Sequence, residues 1–432
     1  MARSMIPVIE LTDLPPISNV EDWIGTGRKF EDVPEQIREI FRNAIKIPSK
    51  YIACLPRDSI PVMEFVQFPL PELVESPLNT PMLGFSKEPS TYENLDVVLQ
   101  NDLPDPNSFK SMKSVLGQRW LDGYRSITNS DWGDIRLPLS VVTFMEKIYT
   151  LTESRHFWQE SIYWLREHQK YIEGSNGIAA NDNLNLFERV HGALSTLPWN
   201  MPVPSHVGFT TNTYSICLSD RWLNDDLIDL ALKNLSVRQK NSLSAPKNVL
   251  IASHLLGCAV EKALQFRRWD AKYAPLLCKY TSEIKEKPYT DLYTVVNINN
   301  NHWISLRVNF VLREISYGDS LDNRVAPPTQ LIDAVFAWLD AHFCNTIRGS
   351  KKKNRFTNQG NILEHGHQSD LYSCGIAAIN SVSHAIFSDP IFNDSQKFYE
   401  RLRLFEDVAA IYGSKQEERE VRHFGLSCGY VK

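Results

Sequence analysis

The chain has 432 residues, of which 43% are apolar and 22% charged, so its length and composition are those of a globular protein with two domains. Its net charge of −5 is unevenly distributed: residues 1–205 hold 19 Lys and Arg against 27 Asp and Glu, a balance of −8, and the balance of the remaining residues is +3. Neither part is basic enough for nucleic acid to be the main partner, and without a run of about 18 apolar residues we expect no membrane span.

The cysteines indicate the redox compartment. There are seven, an odd number, and they are scattered without a Cys-x-x-Cys pair, which argues against a disulfide framework and against a zinc site. No apolar signal-peptide segment follows Met1. We therefore expect a reducing intracellular compartment, either nucleus or cytoplasm, and we expect no metal and no cofactor.

Residues 1–205 predict a mainly helical domain whose role the sequence does not reveal. Apolar residues recur with helical spacing at 33–46, 107–126, 139–171 and 182–196. Residues 52–90 are proline-rich and predict irregular structure. The closely spaced prolines at 198–204 predict a linker to a second domain at 206–432.

The second domain begins with two helical patterns. A helix start is predicted near Trp222, with Ser219 or Asp220 as one choice of cap and Asn224 or Asp225 as the other. The apolar stretch at 248–265 predicts a core helix.

Three strands are predicted next, at 293–298, 302–310 and 313–320. The second strand alternates strictly, which places Ile304, Leu306, Val308 and Phe310 on one face. His302 begins this strand and Asp319 ends the following one. Because adjacent antiparallel strands bring the start of one beside the end of the other, we expect His302 and Asp319 to be neighbours.

The remaining patterns are a helix ending near residue 343, a loop of about 20 residues with a basic cluster at 351–355, and a helix at 395–412. Between them, a polar segment leads into Cys374 and Gly375, where an apolar helical pattern starts at once. The unpaired N–H groups and the dipole of a helix N-terminus favour the thiolate form of a cysteine placed there. A buried core cysteine is the alternative for such a residue taken alone.

Four residues together favour the catalytic interpretation. His302 can take the proton of the Cys374 thiol, and Asp319 can accept a hydrogen bond from the other ring nitrogen and fix the tautomer. The side-chain amide of Gln368, six residues before Cys374, can converge with the Cys374 backbone N–H on an oxyanion. The order His302, Asp319, Gln368, Cys374 therefore predicts a cysteine hydrolase.

These motifs resemble the ubiquitin-like-protein-specific cysteine proteases, a family that includes SUMO-deconjugating enzymes, deneddylases and some bacterial effectors. The resemblance covers roughly 206–430 and is carried by Trp222-Leu-Asn-Asp225, Val296-Asn297, His302-Trp303, Asp319-Ser320 and Gln368-x5-Cys374-Gly375. It implies a papain-like domain of the SUMO-protease type, with an α+β fold and a central mixed sheet flanked by helices. It also implies that Trp222 and Trp303 line a narrow tunnel over a Gly-Gly tail, that Asp225 helps to hold that tail, and that Asn297 supports the strand of His302.

The resemblance implies cleavage after the C-terminal Gly-Gly of a ubiquitin-like modifier through a thioester on Cys374, with SUMO favoured and ubiquitin or a Nedd8-like protein as alternatives. An acyltransferase on the same fold and a non-catalytic binder of modified proteins are further alternatives. For an effector, the compartment would be the interior of the host cell. The chain departs from many relatives at Ser373, where they carry Asp; we expect this serine to cap the helix instead.

Overall fold

We describe a computed structural model of the chain, which defines residues 19–71, 83–92, 95–99, 103, 105–129, 134–173, 178–203, 208–322, 326–344 and 355–427. Contacts divide the chain into two compact units. The first consists of Met1–Arg57 and Phe65–His156, and the second of Asp58–Glu64 and Phe157–Lys432. The functional boundary predicted between residues 205 and 206 stays a prediction.

The first unit is mainly helical, as predicted, but it also contains a small sheet. Its described α-helices are α1 (Glu35–Ala44), α2 (Ser49–Ile52), α4 (Asp96–Leu99), α5 (Pro106–Leu121) and the first half of α6 (Ser140–Glu173), with short 3-10 helices at Val20–Asp22 and Phe30–Asp32. The helix α3 (Val62–Phe65) lies at the boundary of the unit. The strands β1 (Leu83–Ser86), β2 (Ser126–Asn129) and β3 (Arg136–Pro138) pair in antiparallel order. The interpretation of 52–90 as irregular is wrong at α3 and β1, which are four-residue elements too short to produce a periodic pattern.

The sheet of the second unit has five strands in the order β4-β5-β6-β7-β8. β5 (Asp291–Ile298), β6 (His302–Asn309) and β7 (Glu314–Gly318) form the predicted antiparallel meander. β4 (Val249–Ile251) adds to β5 in parallel, and β8 (Thr357–Asn361) adds to β7 in parallel. The predicted α+β fold with a central mixed sheet is therefore confirmed.

Helices cover both faces of this sheet. One face packs against α9 (Leu255–Phe266), α10 (Pro275–Glu286) and α11 (Thr329–His342). Ile304, Leu306 and Val308 of β6 belong to that core and are fully buried, as their alternation predicts. On the other face Ser305 Oγ lies 2.9 Å from Ser381 Oγ of α12 (Cys374–Phe387). The remaining described helices of the unit are the second half of α6, α7 (Ile178–Leu194), α8 (Asp225–Asn241), α13 (Lys397–Ser427) and 3-10 helices at Thr211–Leu218 and Asp394–Gln396.

Two predicted assignments are corrected in this unit. The stretch at 248–265 is not one helix, because its first residues form β4 and only 255 onwards is helical. The loop before Cys374 contains β8, a polar strand that carries no apolar alternation. Residues 351–354 of the basic cluster lie outside the described residues.

Two general expectations concern the thiols and the membrane. The six described cysteines are all free thiols, at positions 54, 217, 258, 278, 344 and 374. Among the helices that the structure describes, none has both the length and the apolar character required to cross a membrane.

Candidate active site

Cys374 is the first residue of α12 and is 1% exposed. The predicted capping by Ser373 is wrong, because its side chain makes no cap hydrogen bond to the helix. Its hydroxyl donates instead to Asp370 Oδ2 at 2.8 Å. The first N–H groups of α12 have no partners within the helix itself, so the sulfur lies where a negative charge is favoured.

His302 and Asp319 meet at one end of the β6–β7 pair. Strand pairing places Ser305 opposite Gly318, so the start of β6 lies beside the residue that follows β7. His302 Nε2 lies 2.7 Å from Asp319 Oδ1, and both side chains are about 5% exposed or less. The predicted proximity of His302 and Asp319 is therefore found in the structure.

His302 also reaches the sulfur. Burial disfavours the imidazolium, but hydrogen bonds to Asp319 and Cys374, together with the negative charges of those groups, outweigh burial and raise the pKa of His302 to about 9. An imidazole that contacts a carboxylate on one side and a thiol on the other can hold a proton between them. The protonated ring therefore lies where it can exchange a proton with the Cys374 sulfur.

Gln368 is fixed to the turn that carries Asp319. It is 1% exposed; its backbone N–H donates to Ser320 O at 3.0 Å, and its Oε1 accepts from Ser320 Oγ at 2.5 Å. Its Nε2 donates to Asp370 O at 2.9 Å, which directs the amide nitrogen towards the segment that precedes Cys374. The oxyanion role of Gln368 stays a prediction.

Asp370 organises this segment, and the sequence interpretation missed it. Its carboxylate accepts the backbone N–H groups of Tyr372 and Ser373 at 2.9 and 2.8 Å, and Lys397 Nζ at 2.8 Å. Burial would raise the pKa of this carboxyl, but hydrogen bonds to Lys397, Ser373 and the backbone hold it below its usual range. An Asp four residues before the first residue of a helix is the signal that could have identified it.

Arg401 is a second residue that the sequence interpretation missed. It is 1% exposed and projects from α13. Its Nη2 donates to Arg221 O at 2.8 Å and to Tyr372 O at 3.2 Å. One guanidinium thereby joins the residue before Trp222 to the residue two positions before Cys374.

The two tryptophans are anchored beside the nucleophile. Trp222 is 48% exposed, and its indole N–H donates to Leu371 O, three residues before Cys374. Trp303 is 4% exposed, and its indole N–H donates to Leu223 O at 2.9 Å. The Trp222 indole is therefore tied to the segment before Cys374, and the Trp303 indole is tied to the residue after Trp222.

Asp225 and Asn297 are the two remaining predicted site residues. Asp225 is the exposed first residue of α8, whose cap is Asn224. Asn297 pairs with Trp303 across β5 and β6, next to the pair formed by Ile298 and His302. Its Oδ1 is buried and accepts no hydrogen bond from the residues that the structure describes. The substrate-binding role of both residues stays a prediction.

Gly375 allows α12 to approach the Trp222 segment. A Cβ at this position would lie 3.1 Å from Leu223 Cβ and 3.2 Å from Ile228 Cδ1, which is tighter than ordinary packing. Glycine thus permits close contact between the start of α12 and the residue next to Trp222.

Comparison with known proteins identifies one matching family model. Residues 221–408 match the Ulp1 protease family, C-terminal catalytic domain. No curated protein sequence matches the chain.

Three solved structures illustrate the similarity. The C-terminal Ulp1 protease domain in complex with Smt3, the yeast ortholog of SUMO, is 18% identical over 51% of this chain and 92% of that chain, with a TM-score of 0.37. The catalytic domain of the Chaetomium thermophilum Ulp1-like SUMO protease is 14% identical over 52% and 88%, with a TM-score of 0.34. The Xanthomonas campestris effector XopD bound to ubiquitin is 16% identical over 43% and 91%, with a TM-score of 0.29.

The matched segment contains the whole five-stranded sheet and all eight predicted site residues, from Trp222 to Cys374. Residues 221–408 therefore match the C-terminal catalytic domain of the Ulp1 protease family, and this segment of the chain is a cysteine-type peptidase domain.

Proposed function

We propose that the chain hydrolyses the peptide or isopeptide bond after the C-terminal Gly-Gly of a ubiquitin-like modifier, with a SUMO-type modifier favoured. The observation that carries this proposal is the position of His302, whose Nε2 lies 2.7 Å from Asp319 Oδ1 and whose pKa is raised by both Asp319 and Cys374, the first residue of α12. The function requires the cysteine as a free thiol, in keeping with an intracellular reducing compartment.

The proposed reaction has two steps. Cys374 Sγ attacks the carbonyl carbon of the terminal glycine, and the His302 imidazolium gives its proton to the leaving amine as the thioester forms. Water, deprotonated by His302, then hydrolyses the thioester and releases the modifier with a free carboxylate. Asp319 keeps the ring in the orientation that both steps need, and the α12 N-terminus with Gln368 supports the developing oxyanion.

The anchoring of Trp222 and Trp303 supports the preference for Gly-Gly. Trp222 is held by the segment before Cys374 and Trp303 by the residue after Trp222, so both indoles are tied close to the nucleophile. A passage between two such rings admits only backbone without side chains. Asp225 and Asn297 are the further residues we assign to holding the tail and the His302 strand.

The proposal is tested with modifiers that carry an electrophile in place of the terminal glycine carboxylate. The wild-type chain should form a covalent adduct, and Cys374→Ala should lower adduct formation at least about 1,000-fold. Cys258→Ala is the matched control, since this thiol is exposed on α9 and lies outside the proposed site. An adduct with unchanged rate in Cys374→Ala would contradict the assignment of the nucleophile.

The same probes identify the modifier. We expect the SUMO-type probe to react faster than the ubiquitin and Nedd8-type probes, measured as second-order rate constants on the same protein preparation. A faster reaction with ubiquitin or a Nedd8-like protein would retain the chemistry and change the substrate. Binding of all probes without reaction by the wild-type chain would overturn the peptidase proposal.

A further inference from the structure

Three metal-ligating side chains converge outside the Cys374 site. One ligand atom from each of Asp322, His365 and His367 lies within 4.8 Å of the others. His365 Nε2 is 3.2 Å from Asp322 Oδ1, and His367 Nδ1 contacts Asp322 Oδ2. Ligand atoms of a tetrahedral zinc site are about 3.4 Å apart, because Zn–N and Zn–O bonds are about 2.0–2.2 Å long. The side chains thus already have nearly the spacing that a metal ion requires.

His365 is oriented as a ligand. Its Nδ1 lies 2.6 Å from Leu363 O, and since a carbonyl only accepts, Nδ1 carries the hydrogen. In the neutral ring Nε2 is then an acceptor, and it faces Asp322 Oδ1, which is also an acceptor. A proton or a metal ion must lie between them for this contact to be favourable. Histidine ligands of metals usually donate their second ring N–H to a carbonyl or carboxylate in this way.

The Asp322 carboxylate is also held in a fixed orientation. Asn361 Nδ2 donates to Asp322 Oδ1 at 3.2 Å, while Asn361 Oδ1 accepts the backbone N–H of Asp319 at 2.9 Å. The His365 side chain is 10% exposed and the His367 side chain 70%, so the group is closed on one side and open to solvent on the other. An ion can enter from the open side, and water can complete its coordination.

We propose that Asp322, His365 and His367 bind a divalent cation of the zinc type through one carboxylate oxygen and two imidazole nitrogens. This donor set suits zinc, and no cysteine takes part, so the spacing of the cysteines has no bearing on it. The His365 and His367 ring centroids are 5.5 Å apart. A divalent ion satisfies both rings in their neutral form, whereas two protonated rings at this distance would repel each other.

The ion would join two segments that also carry proposed active-site residues. Asp322 N donates to Asp319 O at 3.1 Å, and His367 directly precedes Gln368. Bound metal would therefore fix the turn after β7 to the segment that follows β8. Because the ion binds only the folded chain, we expect zinc to raise the melting temperature.

The test measures zinc binding to the full chain carrying Cys374→Ala, which removes the thiol of the proposed peptidase site as a competing ligand. Isothermal titration calorimetry should show one tightly bound Zn²⁺. Adding His367→Gln, an exposed position, should weaken binding at least about 100-fold, since even groups that only hydrogen-bond a ligand change metal affinity 10- to 100-fold. Asp322→Asn should have a comparable effect.

His384→Gln is the matched control. This ring also contacts a carboxylate, Glu364 Oε2 at 2.6 Å, but it belongs to no three-residue group among the described residues, and its loss should leave zinc affinity unchanged. Co²⁺ in place of Zn²⁺ should give d–d absorption without a thiolate charge-transfer band. Absence of tight binding, binding unchanged by His367→Gln and Asp322→Asn, or a thiolate band from Cys54 or Cys258 would each overturn the proposal. These measurements do not depend on peptidase activity, so their failure would leave the proposed function standing.

Discussion

At the scale of single residues, the decisive feature is that His302 interacts with two partners, Asp319 and Cys374. Its Nε2 lies 2.7 Å from Asp319 Oδ1, and the interactions of the ring with Asp319 and Cys374 outweigh the cost of burial for the imidazolium. Because the pKa of His302 is raised to about 9, the ring stays protonated through neutral pH and loses its proton as pH rises through that value.

The raised pKa predicts the alkaline limit of activity. For cleavage of a Gly-Gly substrate, kcat/KM should fall as pH rises through about 9, since the imidazolium that protonates the leaving amine is then lost. Asp319→Asn removes the charge that favours the imidazolium, so the alkaline limit should move to lower pH by roughly one unit or more. Asp340→Asn is the control: it removes a carboxylate on α11 that pairs with Arg355, and it should leave the alkaline limit near pH 9. An unchanged limit in Asp319→Asn would show that this carboxylate does not tune His302.

The residues that the sequence predicted and those that it missed differ in a physical way. His302, Asp319 and Cys374 lie at element ends, where strand pairing and helix periodicity determine which residues meet. Asp370 accepts hydrogen bonds from backbone N–H groups. Arg401 donates hydrogen bonds to backbone carbonyls, one of them 180 residues away in the chain. Such bonds leave no periodic signal in a sequence, so these two residues become visible only in the structure.

At the scale of elements, the start of α12 is defined by close packing as well as by the helix pattern. Gly375 lies where a side chain would press on Leu223 and Ile228. Leu223 follows Trp222, and its carbonyl accepts the Trp303 indole N–H. A shift of this one residue would therefore be transmitted to both tryptophans.

Gly375→Ala tests this transmission. Alanine favours a helix over glycine by about 1 kcal/mol, but overpacking costs about 1–3 kcal/mol, so we expect a net loss of stability together with a several-fold higher KM for a Gly-Gly substrate. Gly413→Ala in α13 is the control, since a Cβ there meets no atom within 4 Å. That variant should be slightly more stable with an unchanged KM. Equal KM values in both variants would argue against the coupling of Gly375 to the tryptophans.

The strands of the central sheet show what periodicity can and cannot predict. β5, β6 and β7 follow one another through short turns, so alternation and turn residues were enough to predict them. β4 is three residues long within an apolar run, and β8 consists of polar residues that are exposed or half-buried. Both are parallel additions whose pairing depends on long connections, and neither has a local pattern that distinguishes it from helix or loop.

At the scale of the whole molecule, contacts begin the long segment of the second unit at Phe157, whereas the sequence motifs predict that the peptidase domain begins at residue 206. The predicted linker at 198–204 includes Trp199, which is 1% exposed and whose N–H donates to Ile60 O at 3.0 Å. Within the same unit, Ser161 Oγ donates to Ser215 O at 2.8 Å, and Trp164 Nε1 donates to Asp220 Oδ1 at 2.9 Å. Residues before 206 thus pack against the segment that leads into Trp222.

The α13 helix depends on these earlier residues as well. The Phe398 ring lies 4.9 Å from the Trp164 ring and 4.3 Å from the His168 ring, and Arg189 pairs with Glu406. Phe398 is 8% exposed, so removal of 157–205 would expose its ring to water. Burial of one large aromatic side chain is worth about 1.5–3 kcal/mol, and α13 also carries the buried Arg401.

Two fragments separate these boundaries. We expect 157–432 to unfold cooperatively and 206–432 to be less stable by several kcal/mol or to fail to fold, measured by chemical denaturation followed by circular dichroism. Both lack 58–64, so the comparison isolates 157–205. The 157–432 fragment carrying Trp164→Ala should lie between them, because the substitution removes one packing partner of Phe398 and the hydrogen bond to Asp220. Equal stability of the two fragments, with equal rates of reaction with a Gly-Gly probe, would instead make 205/206 the true boundary. Residues 157–205 would then be dispensable for the fold of the peptidase unit.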